Sequence, residues 1–285
     1  MPVPPDLREQ VARALAEDIG AGDLTAALIP EDRGGRATVI TREPAILCGI
    51  PYAEASFAQL DSRVRLEWHA AEGASVAADQ LLLTLEGPAR ALLTGERTAL
   101  NFLQFLSGTA TVAHSYVVLL EGTPCRLLDT RKTIPGLRAA QKYAVRVGGG
   151  DNHRMGLFDG ILIKENHIMA AGSIAQAVAT SRVTPRAGRR VPVEVEVENL
   201  TQLREAIEAG ADIALLDNFS LPALREAVAV NARAPKPLKL EASGGITDAT
   251  LRDIAATGVD FISVGSITKH VRAIDLSMRF EFSRR

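Results

Sequence analysis

One short stretch, residues 192–199 (PVEVEVEN), alternates Val193, Val195 and Val197 with Glu194, Glu196 and Glu198. In a strand this spacing puts the valines on one face and the carboxylates on the other. A solvated edge strand shows the same alternation. Strands of a parallel sheet covered by helices, however, are apolar on both faces as a rule. Carboxylates aimed into such an interior need cations, hydrogen bonds or protonation. The chemistry they suit is a metal ion, or a substrate on which positive charge develops.

Cations to meet them lie upstream. Residues 126–167 carry eight basic residues (Arg126, Arg131, Lys132, Arg138, Lys142, Arg146, Arg154 and Lys164) against four acids. The whole chain has 32 basic and 34 acidic residues, so a net charge of −2 conceals this local excess. Arg131, Lys132, Arg154 and Lys164 fall at or just after strand-like runs. Arginine offers a planar fork matched to a carboxylate, and lysine a compact point charge. The chain has 26 arginines and only six lysines; the first is Lys132, and three of the six fall within 132–164. In so lysine-poor a chain, that clustering points to places where an ammonium is needed. A glycine triplet at 148–150 makes a turn before His153 and Arg154. Neighbouring cations favour a neutral, hydrogen-bonding His153. Further on, Ala242-Ser243-Gly244-Gly245 and Val264-Gly265-Ser266 end two strand-like runs and precede helices. Glycines there expose backbone N–H groups, a usual phosphate cradle after the last strands of an α/β barrel.

The elements that must position these residues change character along the chain. A short amphipathic helix is expected from Asp6 to Asp18, with Asp6 as N-cap. Residues 36–85 read as strands (RATVITR, AILCGI, VRLEWHA, LLLTLEG) separated by Gly, Pro and Asp. Residues 89–107 read as a helix on which Arg97, Asn101 and Gln104 form one polar stripe. From Cys125 onward, short apolar runs alternate with helical stretches: CRLLDTR, GILIKEN, PVEVEVEN, IALLDN, LKLEAS and FISVGS. This alternation implies a parallel sheet with crossover helices. Every run is apolar at its start and polar at its end, which in a barrel gathers the polar ends at one mouth. Six runs fall short of eight, so the fold class is α/β with an open, incomplete TIM-like barrel.

Composition sets further limits. With 47% hydrophobic residues the chain can bury a sizeable core. Near-neutral charge argues against a nucleic-acid binder. Two cysteines make no disulfide framework, and the charged N-terminus lacks the apolar core of a signal peptide, so a cytoplasmic protein is expected. The uncharged stretch from Ile168 to Ser181 is too short and polar to span a bilayer, so no membrane association is expected. The run EGASVAADQLLLTLEG resembles the hairpins of biotinyl and lipoyl carriers, but those need a lysine, and residues 1–131 contain none.

The motifs DTRKTIPGLR, GGGDNHRMGLFDGILIKENHI, VEVEVENL, LLDN, LEASGGI and VGSITKHV, with EDIGAGDLT and GERTALNFLQFLSGTAT before them, resemble those of nicotinate-nucleotide pyrophosphorylase (carboxylating), the quinolinate phosphoribosyltransferase family. The resemblance spans roughly residues 17–276. It implies an N-terminal α/β sandwich domain (1–110), an open barrel (111–270) and a tail (271–285) returning to the first domain. It further implies a cytoplasmic glycosyltransferase of NAD biosynthesis, with quinolinate and phosphoribosyl pyrophosphate as substrates and Mg2+ as cofactor. By the same resemblance Arg131, Arg154 and Lys164 hold the quinolinate carboxylates, helped by His153, Thr130 and Lys132. Glu196 and Asp217 face the ribose and its magnesium, which is held largely through substrate and water. Lys132, Glu196 and Asp217 form the catalytic group. Ser243, Gly244 and Gly265 hold the 5-phosphate. Arg97 reaches the neighbouring subunit's site in a homodimer or higher oligomer. A phosphoribosyltransferase for a monocarboxylate such as nicotinate is the nearest rival, and the density of cations favours a dicarboxylate.

Overall fold

A computed structural model of the chain describes residues 2–183 and 191–282. It divides into two compact units. The first comprises residues 1–114, 133–149 and 267–285, of which 1 and 283–285 lie outside the described residues; the second comprises 115–132 and 150–266, of which 184–190 do.

The first unit opens with α1 (Leu7–Ile19), which buries Leu7, Val11 and Leu15 on one stripe. Asp6 stands at its N-cap, but its carboxylate makes no cap; it accepts instead from the Gln10 side chain at 2.8 Å. The region expected to be strands throughout contains β1 (Gly34–Thr41), β2 (Ala45–Ile46), β3 (Arg65–Trp68), β4 (Ser75–Val76) and β5 (Leu81–Pro88), and also a helix, α2 (Ile50–Leu60). Pro51 in the first turn of α2 needs no hydrogen-bond partner for its nitrogen. In β1, Ala37, Val39 and Thr41 point inward, as period two requires.

α3 (Ala89–Leu119) runs twelve residues past the expected end at 107. It is long and apolar enough, by length and composition, to cross a membrane, so Ile168–Ser181 is not the relevant stretch to weigh. Its apolar positions serve a core instead. Leu92, Ala99 and Leu103 pack with β1 and β5, while Phe102, Leu106 and Ala110 pack with α1 and with α4 (Arg138–Val147). Each fully buried leucine contributes about 2 kcal/mol. The last described strand of the chain pairs antiparallel with β1, Thr41 opposite Leu276 and Gly35 opposite Phe282.

The second unit carries all six expected runs as strands: β6 (Arg126–Leu128), β7 (Ile161–Ile163), β8 (Val193–Val197), β9 (Ile213–Asp217), β10 (Lys239–Ser243) and β11 (Phe261–Ser263). They form one parallel sheet in the order β6-β11-β10-β9-β8-β7. No pairing between described residues joins the two edge strands, β6 and β7, so the barrel is open. The strand-to-helix turns are capped by their own sequence. Asn199 accepts from the N–H of Gln202 before α5 (Leu200–Glu208), and Ser220 accepts from Ala223 before α6 (Leu221–Ala232).

Candidate active site

The carboxyl ends of the parallel strands surround a pocket of about 250 Å³. Thr130, Arg131 and Lys132 enter from the loop after β6, and His153 and Arg154 from the segment before β7. Lys164 follows β7, Glu196 is the next-to-last residue of β8, Asp217 ends β9, and Ser243 ends β10. Leu162, Leu215, Glu241 and Ser263 complete the wall. A larger concavity in the first unit, about 580 Å³ beside α1 and α3, gathers no comparable set of cations.

The three glutamates of residues 194–198 lie at different depths, with Glu198 just past the end of β8. Glu194 is buried, Glu196 half-buried and Glu198 exposed. Only the first two serve the interior. Glu196 is ion-paired with Lys164. Asp217 accepts from the Asn218 amide at 2.8 Å, and the N–H of Asn218 donates to the Ser243 carbonyl at 2.9 Å.

At the floor, His153 Nε2 lies 2.9 Å from Glu194 Oε2 and 3.6 Å from Glu241 Oε2. Burial pushes both carboxyls up, Glu194 to about 7 and Glu241 to about 8; the neighbouring Glu194 charge adds to the rise at Glu241. Glu194 Oε1 and both Glu241 oxygens are buried without a hydrogen-bond partner among the described residues. Sequence reasoning counted Glu194 among the inward carboxylates but gave neither residue a role in the site. The alternation of β8 marked Glu194 as inward, but its depth came from tertiary packing.

Arg154 is fixed along its length. Its N–H donates to His153 Nδ1 at 2.7 Å and its Nη1 to the Gly160 carbonyl at 3.1 Å. Burial, followed by the adjacent Arg131 charge, holds its pKa below the ordinary arginine value. An arginine so desolvated gains strongly from an incoming carboxylate. The His153 backbone is pinned in turn: its N–H donates to Asp129 Oδ1 at 2.9 Å, and the Asn152 amide donates to Asp129 Oδ2 at 2.6 Å.

Two glycines border the pocket where a side chain would not fit. A Cβ on Gly265 would lie 2.9 Å from Lys132 Cδ. Gly244 has φ +96°, and a Cβ there would strike the Asn218 amide. Arg97 is exposed on α3 in the first unit, whereas all thirteen residues lining the pocket belong to the second, so it is the one expected site residue not drawn from that unit.

A family model described as quinolinate phosphoribosyl transferase, N-terminal domain, matches residues 23–107, and one described as its C-terminal domain matches residues 109–279. The chain is 43% identical over 272 residues, 95% of its length and 92% of the relative's, to a probable nicotinate-nucleotide pyrophosphorylase [carboxylating] of Bacillus subtilis (strain 168). It is 41% identical to the nicotinate-nucleotide pyrophosphorylase [carboxylating] of Mycobacterium leprae (strain TN), covering 95% of this chain and 96% of that one. Among solved structures, the nicotinate-nucleotide pyrophosphorylase from Francisella tularensis matches with TM-score 0.92 and 49% identity over 98% of each chain.

Proposed function

The chain belongs to the quinolinate phosphoribosyltransferase family, and we propose how its residues divide the labour of that family's reaction. It is an enzyme that transfers phosphoribosyl from phosphoribosyl pyrophosphate to quinolinate and releases carbon dioxide, giving nicotinate mononucleotide and pyrophosphate for NAD synthesis.

Arg131, Arg154 and Lys164, with Lys132 and Thr130, orient the two quinolinate carboxylates. The observation that carries this reading is the convergence of these four cations on one 250 Å³ pocket. Ser243, Gly244 and Gly265 hold the 5-phosphate through hydroxyl and backbone N–H groups. The anomeric carbon then lies toward Glu196 and Asp217.

The pyridine nitrogen attacks that carbon with its lone pair as the bond to pyrophosphate breaks, and the leaving group departs with the bonding electrons. Positive charge builds on the ribose in between, and the Glu196 and Asp217 carboxylates stabilise it. The quaternised ring then accepts the electron pair of the adjacent carbon–carboxylate bond as carbon dioxide leaves. A proton takes the vacated ring position. The protein's contribution to this second step is to hold both carboxylates and exclude water.

Magnesium fits this pocket, because Glu196 and Asp217 supply hard oxygen donors on neighbouring strand ends. These two residues would hold it, largely through substrate oxygens and water, and when bound it would offset the charge of the pyrophosphate. The assembly is a homodimer or a higher oligomer in which exposed Arg97 serves the partner subunit's site. A cytoplasmic setting accords with Cys48 and Cys125, both free thiols.

Parallel assays with quinolinate and nicotinate, each with phosphoribosyl pyrophosphate and Mg2+, test the reading. Release of carbon dioxide from quinolinate supports it; equal or faster turnover of nicotinate would overturn it.

A further inference from the structure

The contacts of His153 bear on its role. Its Nδ1 accepts the N–H of Arg154 at 2.7 Å. A neutral imidazole has one lone pair and one N–H, so this bond places the proton on Nε2. That N–H faces Glu194 Oε2 at 2.9 Å, with Glu241 Oε2 behind it at 3.6 Å. Both ring nitrogens are therefore committed to the protein, and no ring N–H remains for a substrate carboxylate. We infer that His153 is a strut beneath the pocket and that Glu194, backed by Glu241, is a positioning residue whose bond to it sets the place of Arg154. This deepens the proposed function and rests on it.

The geometry supports each link. Asp129 accepts from the His153 backbone N–H and from the Asn152 side-chain amide, which fixes the point about which the His153 ring could rotate. Glu194 stops that rotation. A turned ring would deprive the Arg154 N–H of its acceptor while the guanidinium stays held at Gly160. Arg154 would then meet a carboxylate from a shifted backbone. Misplacement on that scale acts on binding of the carboxylate substrate and leaves the phosphate end of the site untouched.

His153, Glu194 and Glu241 also place three ligand atoms within 4.8 Å of one another, a spacing that suits a divalent ion. The hydrogen bonding opposes an ion: a ligating Nε2 needs a lone pair that the Arg154 N–H fixes on Nδ1 instead.

Full-length enzyme carrying Glu194→Ala or Glu194→Gln provides the test. An amide oxygen still accepts from Nε2–H, so the glutamine variant keeps the strut. We expect Glu194→Ala to raise the KM for quinolinate roughly tenfold, with the KM for phosphoribosyl pyrophosphate within about twofold of wild type. Glu194→Gln should recover most of that loss. The 15N resonances of His153 should report the Nε2–H tautomer both free and with quinolinate bound, which also serves if Glu194→Ala does not fold. A glutamine variant as impaired as alanine would overturn the inference. So would a quinolinate-dependent change of tautomer, or one equivalent of zinc that is lost in Glu241→Gln. Failure of wild type to turn over quinolinate would instead overturn the function on which the inference rests.

Discussion

Lys164 and Glu196 are joined as an ion pair at the adjoining ends of β7 and β8. The register explains the meeting: Ile163 lies opposite Val195, so the next residues of each strand come side by side. The pair links the end of the pocket assigned to quinolinate with the end assigned to ribose. On the proposed roles, a substrate carboxylate that takes Lys164 would release Glu196 toward the anomeric carbon, so the two residues should not behave independently. Lys164→Met is expected to lower kcat/KM for quinolinate by about a hundredfold, and Glu196→Gln to act mainly on kcat. Their effects should fall short of additivity by about 1 kcal/mol or more. A double-mutant cycle measures this, and full additivity would show the contact to be incidental.

Arg97→Ala should abolish turnover without changing the thermal unfolding midpoint, because the residue is exposed on α3. Mixing it with Arg131→Ala should restore part of the activity if Arg97 serves a neighbouring subunit. Confirmed mixed dimers without recovery would rule out the shared site.

Gly244→Ala should raise the KM for phosphoribosyl pyrophosphate by about tenfold and leave the KM for quinolinate close to wild type. The substitution forces an alanine to φ +96° against Asn218, a strain of about 1–3 kcal/mol. Steady-state kinetics in each substrate separates the two constants, and a change confined to quinolinate would contradict the phosphate assignment.

The buried pair of Glu194 and Glu241 should leave a mark on stability. Their folded pKa values lie above the ordinary carboxylate value, so between the two the native state binds more protons than the unfolded chain. Stability therefore falls as pH rises from about 4.5 through the folded values and levels off above them. Glu241→Gln removes one of the groups that must give up its proton. Unfolding midpoints from pH 5 to 8.5 should decline less steeply in the variant than in wild type; parallel declines would refute the assignment.

The sequence shows the second unit more clearly than the first. All six parallel strands were legible because each ends in polar residues after an apolar run, and a strand's period survives any packing. The pocket residues on those strand ends were legible for the same reason. α2 was not, because its residues sit among strand-like runs and Pro51 reads as a separator until Gly49 is seen to turn the chain into a helix. The true length of α3 was missed at the point where polar residues such as Ser107, Thr109 and Thr111 interrupt its apolar face. Ser107 bonds to the Cys48 backbone and Thr111 to the N–H of Ile46, so these hydroxyls belong to the packing. Glu194 and Glu198 are the same residue type in the same alternating run, one within β8 and one just past its end. Only the depth of the sheet distinguishes a floor from a rim.

The pairing of residues 276–282 with β1 has a consequence for synthesis. β1 has β5 on one side, and the strand on its other side is the last one described in the chain. The earliest sheet to leave the ribosome thus waits with an open edge while some two hundred further residues are made. During that interval β1 is the segment most exposed to pairing with a foreign strand. A chain cut short before residue 276 would keep every pocket-lining residue and still leave that edge uncovered for good. Such truncation should therefore show up as aggregation before it shows up as lost chemistry.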